Sequence, residues 1–383
     1  MSTRQFLMAK AMGLMPYHQT VLRGAGSLAS LPDELHKNHV HHALIMTTEG
    51  MIQRGTLNEF FQKLVSIGIT YSTFTQIQPN PTDIDVANAA HAYVLNKCDV
   101  GVAIGGGSVI DCAKVALAKI TNPQLDVNHP TMLRKPLPLF AAVPTTAGSG
   151  SEITAGAVIT HTNADVHVKS SFNDVRLVPH IVVLDPALTI SLPTVVTRTS
   201  GIDALSHAIE AATNKYASHR TRTASDKALS LLLPSLSRVL IHPKDIQLRV
   251  AMLEGAYQAG LAITTNFVGN VHALSHAIGS RYDIAHGAIN AVLLVPVLKE
   301  YGASVARTMK HWETIFAAEL NGQSFVEFLD GYIDTLGVNR TLELNSHDFL
   351  AIATQAREEA LGYPVPQEWN IDTYLRILRE VTR

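Results

Sequence analysis

The sequence predicts a protein of two parts: a doubly wound parallel α/β sheet over residues 1–189 and an all-helical domain over residues 190–383. Three observations lead to this prediction. Short β-branched runs alternate with helical stretches in the first half, the strand pattern stops after LDPALTISLP, and 383 residues are many for one hydrophobic core. Hydrophobic residues make up 46% and charged residues 16%, which indicates a globular chain.

Five segments of the first domain carry the strand pattern, and a helical segment follows each of the first three. The strands are HHALIMTT, ITYSTFTQI, DVGVAIG, LPLFAAVPTT and HIVVLDP. The helices are the segment between HHALIMTT and Ile67, residues 83–97, and the segment from Ser108 to about Ile120. Parallel strands need such crossover helices, so this order favours a sheet covered on both faces. The second domain shows only helical patterns, among them GIDALSHAIEAATNKY, NVHALSHAIG and DTYLRILREVTR.

Charge and composition argue against nucleic acid and membrane as partners. The formal net charge is −2, and no cluster of Lys and Arg with interleaved aromatic residues occurs. No segment is expected to cross a bilayer, and MSTRQFLMAKAMGLMPY is not interpreted as a signal peptide because Lys10 interrupts its apolar run. Two cysteines, Cys98 and Cys112, cannot form a disulfide framework and favour a cytoplasmic protein.

Two loops rich in glycine and hydroxyl groups follow neighbouring predicted strands. In GGGS, residues 105–108, backbone N–H groups and the positive end of the next helix can hold a phosphate; Ser108 is the expected N-cap, with Asp111 in the capping-box position. The second loop is PTTAGSGSE, residues 144–152. Carboxyl ends of adjacent parallel strands share one edge, so both loops are expected at one nucleotide site. Ordinary turns without a ligand are the alternative.

Histidines gather in the helical domain. Asp203 and His207 are four residues apart in GIDALSHAIEA, and His272 and His276 are four apart in NVHALSHAIG, so each pair shares a helix face. His286 follows in the same region. A carboxylate with imidazoles suits Fe²⁺ or Zn²⁺, and these spacings alone leave open which histidines bind the ion.

A second histidine group is the competing metal candidate. HKNHVHH contains His36, His39, His41 and His42 at a polar connection before a strand, where surface histidines are the favoured interpretation. Cys112 follows the GGGS loop, and no histidine is placed by sequence to activate it. It is interpreted as a buried structural thiol.

These motifs together resemble the iron-containing (group III) alcohol dehydrogenase family. The matching segments, in order over nearly the whole chain, are QPNPT, GGGSVIDCAK, PTTAGSGSEIT, LDPALT, GIDALSHAIEA and HALSHAIG with a following HG. The resemblance implies an N-terminal Rossmann-like nucleotide-binding domain and a C-terminal helical domain, an architecture that dehydroquinate synthase shares.

The resemblance also implies the site residues. The metal ligands would be Asp203, His207, His272 and His286, and His276 would lie beside the nicotinamide ring as the catalytic residue. The implied nucleotide contacts are Asn80, Gly106, Gly107, Ser108, Thr145, Thr146 and Lys169, with Asp111 and Lys114 supporting the loop. Fe²⁺ is the metal that the family implies, and Zn²⁺, Mn²⁺, Co²⁺ or Ni²⁺ suit the same donors.

One position departs from the family pattern. Where relatives place an aspartate that holds the adenosine ribose, this chain has Thr48 followed by Glu49. A neutral Thr48 admits the 2′-phosphate of NADP, whereas Glu49 restores a negative charge that selects NAD. Both cofactors therefore stay open.

The implied reaction is hydride transfer between NAD or NADP and a primary alcohol or aldehyde whose oxygen is held by a divalent metal ion. The alternatives are a zinc-dependent glycerol or polyol dehydrogenase, a dehydroquinate synthase-like lyase, and a nucleotide- or metal-sensing protein. The lyase has less support because no set of Lys and Arg residues for a polyol phosphate is evident. The expected partners are a small alcohol or aldehyde and further copies of this chain, in a homodimer or larger homo-oligomer.

Overall fold

The computed structural model describes residues 19–127, 132–161 and 168–383, without the side chains of residues 168 and 169. The N-terminal segment that resembles a signal peptide lies outside these ranges. The described residues divide into two compact units. One, the sheet unit, comprises residues 19–192 with Lys244–Leu253, and the other, the helical unit, comprises Pro193–Pro243 with Glu254–Arg383.

The sheet unit is built on six parallel strands in the order β1-β8-β5-β4-β2-β3, with a separate antiparallel pair β6-β7. The strands are β1 (Thr20–Arg23), β2 (His42–Met46), β3 (Thr70–Phe74), β4 (Val100–Gly105), β5 (Leu139–Pro144), β6 (Gly156–His161), β7 (Val168–Asn173) and β8 (Ile181–Leu184). The helices of this unit include α1 (Leu31–Lys37), α2 (Glu49–Gln53), α3 (Asn58–Ser66), α4 (Asp83–Leu95) and α5 (Gly107–Thr121).

Alternate residues of the inner strands enter two opposite hydrophobic layers. Ile45 of β2 and Val102 of β4 pack in the layer that contains residues of α1 and α3. Met46 and Ala103 pack in the layer that contains residues of α4 and α5. This two-sided burial explains the continuous apolar strands of the sequence, because a parallel sheet covered by helices exposes neither face.

The strand order reverses between β2 and β4. The chain runs from β2 outward to β3, then returns past β2 to β4 and continues to β5. The carboxyl ends of β2 and β4 therefore border the switch point where doubly wound sheets bind ligands. Thr48 and Gly106 follow these two strand ends.

The helical unit contains helices and short 3₁₀ turns in its described residues. The helices are α6 (Thr194–Thr213), α7 (His219–Ile241), α8 (Ile246–Asn266, which begins in the sheet unit), α9 (Asn270–Gly279), α10 (His286–Tyr301), α11 (Ala306–Ile315), α12 (Ala317–Leu320), α13 (Phe325–Thr335), α14 (Phe349–Ala360) and α15 (Ile371–Val381). The predicted fold class, a doubly wound parallel sheet with a helical C-terminal part, is confirmed. The β6-β7 hairpin and β1 were not predicted.

Contrary to the expectation from the sequence, one helical run has the length and composition needed to cross a bilayer. His286–Ile315 is long and apolar enough by length and composition, and it is the one such run among the described residues. However, 61% of its most apolar window is buried inside the protein, and Leu293 and Leu294 are fully buried. The buried core helix of a globular protein passes the same test.

Candidate active site

The N-terminus of α5 follows β4 directly and carries no side-chain cap. Gly106 is the N-cap residue, and the helix begins at Gly107. The prediction of Ser108 as N-cap is wrong, because the helix starts one residue before it and its Oγ donates a hydrogen bond to the Pro79 carbonyl. The uncapped first turn of this 15-residue helix offers N–H groups and a positive dipole end to an anion.

The two glycine- and hydroxyl-rich loops meet, as the sequence predicts. A Cβ atom added at Gly107 would lie 2.7 Å from Ser149 Oγ, and one added at Gly106 would lie 3.4 Å from Thr146 Oγ1. The Thr145 N–H donates to the Gly105 carbonyl at 3.0 Å. Glycine at 107 is therefore required by the close approach of the second loop.

Asp111 and Lys114 link α5 to the second loop and to the segment that follows it. The Asp111 carboxylate accepts hydrogen bonds from Ser151 Oγ and, at 2.9 Å, from the Val158 N–H. Lys114 Nζ donates to the Thr154 carbonyl at 2.7 Å and to the Thr154 hydroxyl at 3.0 Å. Burial lowers the pKa of Lys114 to about 8, although Asp111 acts in the opposite direction.

The other nucleotide candidates lie on three further segments of the sheet unit. Thr48 is half-buried at the N-terminus of α2, beside the exposed Glu49. Asn80 is exposed and follows Pro79, whose carbonyl accepts the Ser108 hydroxyl. Lys169 pairs with Thr160 across the β6-β7 hairpin, and its side chain lies outside the described part.

Three helices of the helical unit supply the histidine cluster. Asp203 and His207 lie one turn apart on α6. His272 and His276 lie one turn apart on α9, and His286 is the first residue of α10. The i,i+4 spacing places each pair on one face of its helix.

Three imidazoles surround one carboxylate oxygen. Asp203 Oδ1 lies 3.3 Å from the Nε2 atom of His272, 3.5 Å from that of His286 and 3.6 Å from that of His207. The ligand atoms of a tetrahedral site with bonds of about 2.1 Å are about 3.4 Å apart. These three oxygen–nitrogen distances match that spacing, and carboxylate and imidazole donors suit a divalent ion in chemistry. One donor atom each of Asp203, His207 and His272 lies within 4.8 Å of the others, whereas His286 approaches the same Asp203 oxygen but lies outside that group.

Burial and neighbouring charges shift the pKa values of this cluster in different directions. Burial would raise the pKa of Asp203, but His207 and His272 lower it well below its usual range. Burial lowers the pKa of His286 well below its ordinary value. Burial opposes the charge of His272, yet Glu210 and Asp203 raise its pKa to about 9. These shifts favour an ionised Asp203 and a neutral His286, the forms that bind a cation, whereas His272 would have to release a proton to bind one.

Buried polar groups orient this cluster, and sequence reasoning did not identify them. Glu210 Oε2 lies 2.5 Å from His272 Nδ1, and Glu210 Oε1 accepts the Val271 N–H at 2.7 Å. Asn290 Nδ2 donates to Asp203 Oδ1 at 2.9 Å. Glu210 had a signal in the sequence, since it follows Asp203 by seven residues and shares its helix face.

His276 has a different carboxylate partner. Its ring stacks on that of His286, with centroids 5.1 Å apart and planes inclined by 18°. Its Nδ1 lies 2.5 Å from Glu359 Oε1, which also accepts the Tyr363 hydroxyl at 2.5 Å. Burial would raise the pKa of Glu359, but His276 and the two hydrogen bonds lower it. No sequence pattern links Glu359 to a histidine 83 residues away.

The competing histidine group shows no comparable arrangement. His36, His39 and His41 are exposed, and the half-buried His42 bonds to the hydroxyls of Thr70 and Ser72. Asp203, His207 and His272 form the one group of three or more His, Cys, Asp or Glu in the described ranges whose donor atoms are close enough to hold a metal ion. Cys112 is a free, buried thiol whose pKa is raised by burial, as predicted.

Comparison with known proteins agrees with this site. The chain matches the profile of the iron-containing alcohol dehydrogenases over residues 18–186 and that of the C-terminal domain of the Fe-containing alcohol dehydrogenase family over residues 197–382. It is 30% identical over 352 residues to a 1,3-propanediol dehydrogenase of Klebsiella pneumoniae, which covers 88% of this chain and 90% of that protein.

A second relative is the NAD-dependent methanol dehydrogenase of Bacillus methanolicus, 33% identical over 271 residues, 70% of this chain and 71% of that protein. The crystal structure of a 1,3-propanediol oxidoreductase superposes with a TM-score of 0.88 at 27% identity, covering 96% of this chain and 100% of that one. The chain therefore belongs to the iron-containing alcohol dehydrogenase family and is a metal-dependent, nicotinamide-linked alcohol dehydrogenase.

Proposed function

We propose that Asp203, His207, His272 and His286 hold Fe²⁺ and that the enzyme interconverts a primary alcohol and its aldehyde with NAD. The observation that carries this assignment is the approach of three Nε2 atoms to Asp203 Oδ1 at 3.3 to 3.6 Å. A bound divalent ion supplies Lewis acidity, which polarises the carbon–oxygen bond of the substrate.

In this proposal His276 acts beside the ligand set and not within it. Its Nδ1 is engaged by Glu359, and its ring is stacked on His286. This arrangement leaves Nε2 of the neutral ring to accept the hydroxyl proton during alcohol oxidation and to return it during aldehyde reduction.

Measuring the metal content of variants tests whether His272 is a ligand and His276 only a neighbour of the metal. The His272→Ala variant should lose most of its bound metal, because it lacks one of four donors. The His276→Ala variant should keep the metal and lose turnover, and His91→Ala, at an exposed position on α4, should change neither. Equal metal loss in the first two variants would contradict the division.

The resident metal is tested by loading metal-free protein with a panel of divalent ions. Nitrogen and oxygen donors of this kind also accept Zn²⁺, Mn²⁺, Co²⁺ and Ni²⁺. We expect turnover with Fe²⁺ under anaerobic conditions to exceed turnover with Zn²⁺. A preparation most active with Zn²⁺ would favour the zinc-dependent polyol dehydrogenase alternative.

The proposed cofactor site is the edge at the carboxyl ends of β2, β4 and β5. Its proposed contacts are Thr48, Asn80, Gly106, Gly107, Ser108, Thr145, Thr146 and Lys169. The support is the uncapped N-terminus of α5, the meeting of the two loops at Gly107 and Ser149, and the NAD dependence of the methanol dehydrogenase relative.

NAD is the proposed cofactor because the exposed Glu49 carboxylate would repel a 2′-phosphate. We expect Fe²⁺-loaded protein to oxidise NADH faster than NADPH with a series of short aldehydes, and Glu49→Ala to gain activity with NADPH. Preferential use of NADPH by the unmodified enzyme would show that the neutral Thr48 decides instead.

We further propose that the enzyme is a cytoplasmic homodimer or larger homo-oligomer, with residues 1–189 binding the nucleotide and residues 190–383 the metal. Two free, buried cysteines support a reducing compartment. Sedimentation velocity over a range of protein concentrations tests the assembly, and a single monomeric species at all concentrations would contradict it.

A further inference from the structure

Glu359 is the carboxylate that contacts His276. It lies near the end of α14, and its Oε1 accepts hydrogen bonds from His276 Nδ1 and from the Tyr363 hydroxyl, both at 2.5 Å. The side chains of His276 and Glu359 are only 17% and 23% exposed. The pair is therefore largely shielded from water, and hydrogen bonds in such surroundings are stronger than in water.

The chemistry of the two partners determines the tautomer of His276. An ionised carboxylate only accepts hydrogen bonds, so the imidazole nitrogen that faces it must carry the proton. In the neutral ring, Nε2 is then an acceptor, and the described residues offer this nitrogen no hydrogen bond. Without Glu359, the ring could rotate or adopt the other tautomer.

A third side chain holds the carboxylate in place. Burial raises the pKa of Tyr363 well above its ordinary value, so its phenol stays protonated and donates to Glu359. The Tyr363 ring also lies beside that of Phe267, with centroids 6.4 Å apart. Tyr363 and Glu359 are one helical turn apart in the sequence, so a single segment presents both groups.

We propose that Glu359 is a positioning residue that fixes the ring orientation of His276 and its Nδ1–H tautomer. This inference rests on the proposed proton-transfer role of His276. In alcohol oxidation the hydroxyl proton moves to Nε2 and the O–H electron pair stays on oxygen. The resulting imidazolium keeps its Nδ1–H bond to Glu359, whose negative charge balances it, and the Nε2 proton then passes to water.

The test uses Glu359→Leu, which removes the acceptor, and Glu359→Gln, which keeps its shape. We expect kcat of the metal-loaded Leu variant to fall about 10- to 100-fold, a part of what general acid–base catalysis contributes. KM and metal content should stay near those of the unmodified enzyme. Gln should retain more activity than Leu because its carbonyl can still accept the Nδ1–H bond. Glu358→Leu, at the exposed neighbouring position, is the matched control and should leave kcat unchanged.

A second readout does not depend on turnover. Nitrogen-15 spectra of metal-free protein, assigned with His276→Ala, report which ring nitrogen carries the proton. The unmodified protein should show the Nδ1–H tautomer, and Glu359→Leu should populate the Nε2–H form. If Leu fails to fold, Gln and Tyr363→Phe should still shift the spectrum, because each weakens the same hydrogen-bond pair.

The outcomes separate the two proposals. An unchanged tautomer together with unchanged kcat in Glu359→Leu would overturn the role of Glu359. Full activity of His276→Ala would overturn the role of His276 in proton transfer, while the spectra still measure whether Glu359 holds the ring. In the double variant His276→Ala/Glu359→Leu, we expect no loss of kcat beyond that of His276→Ala, because the two residues act as one unit.

Discussion

At the scale of single residues, Glu210 contacts the proposed metal ligand His272 without being a proposed ligand itself. It is buried, faces His272 Nδ1 at 2.5 Å and also holds the Val271 N–H. Gly269 leaves room for it, since a Cβ atom there would lie 2.8 Å from Glu210 Oε1. Carboxylates in this position fix the orientation of a ligand histidine and increase its basicity.

We predict that Glu210→Gln lowers the affinity for Zn²⁺ about 10- to 100-fold, as is typical when such a partner is lost. Gln can still accept the Val271 N–H, so the loss reflects the missing charge opposite His272. Competition with a chromophoric chelator on metal-free protein measures it. Glu319→Gln, exposed on α12, is the control, and equal affinity in both variants would contradict the prediction.

A further prediction concerns the reactivity of the two buried cysteines. Burial, with Asp99 nearby, raises the pKa of Cys98 to about 11, and burial raises that of Cys112 further. Because the thiolate is the reactive form, a disulfide reagent at pH 8 should react with the native protein at least about 100-fold more slowly than with unfolded protein. Rapid reaction of one thiol in the native state would contradict this interpretation.

Among the helices, the approach of α10 to α6 depends on one glycine. A Cβ atom added at Gly287 would lie 1.9 Å from the Thr199 carbonyl oxygen. A backbone carbonyl cannot rotate away as a side chain can, so α10 would have to move relative to α6. These helices carry His286 and Asp203, two of the proposed ligands, so a shift of α10 would also disturb the proposed metal site.

We predict that Gly287→Ala lowers the free energy of unfolding by about 1–3 kcal/mol or more, the usual cost of overpacking, and reduces bound metal. Chemical denaturation and metal analysis measure the two effects. Gly331→Ala on α13 is the control, because a Cβ there meets no atom within 4 Å and alanine favours a helix. Equal stability of the two variants would contradict the argument.

How far the sequence predicts these elements depends on whether the determining interaction is local. Five of the six strands of the parallel sheet and the His272–His276 face follow from patterns within one segment. The hairpin Gly156–His161 with Val168–Asn173 was missed because its second strand, VKSSFN, is rich in Lys, Ser and Asn and lacks the β-branched run of a buried strand. Asn290 and Glu359 were missed because helix packing, which no local pattern reports, brings them to Asp203 and His276.

For the whole molecule, the proposed metal ligands all lie in the helical unit and the proposed nucleotide contacts all lie in the sheet unit. Each ligand stabilises the folded state that binds it. At a free concentration 100 times its Kd the gain is about 2.7 kcal/mol. For a unit of 150–250 residues, each kcal/mol raises the Tm by about 2–4 °C. Zn²⁺ and NADH added separately should therefore each raise a melting transition by about 5–10 °C.

Two variants should separate the Tm increase caused by Zn²⁺ from the Tm increase caused by NADH. His272→Ala should lose the Tm increase with Zn²⁺ and keep the increase with NADH. Gly107→Ala should do the reverse, because its Cβ would lie 2.7 Å from Ser149 Oγ and disturb the loop proposed for the phosphates. Adding Ser149→Ala should restore part of the NADH effect, since Ser149 Cβ would still lie 2.9 Å away. Loss of both Tm increases in either single variant would contradict two separately folded binding sites. If each variant loses only the increase with its own ligand, each ligand is assigned to its unit independently of catalysis.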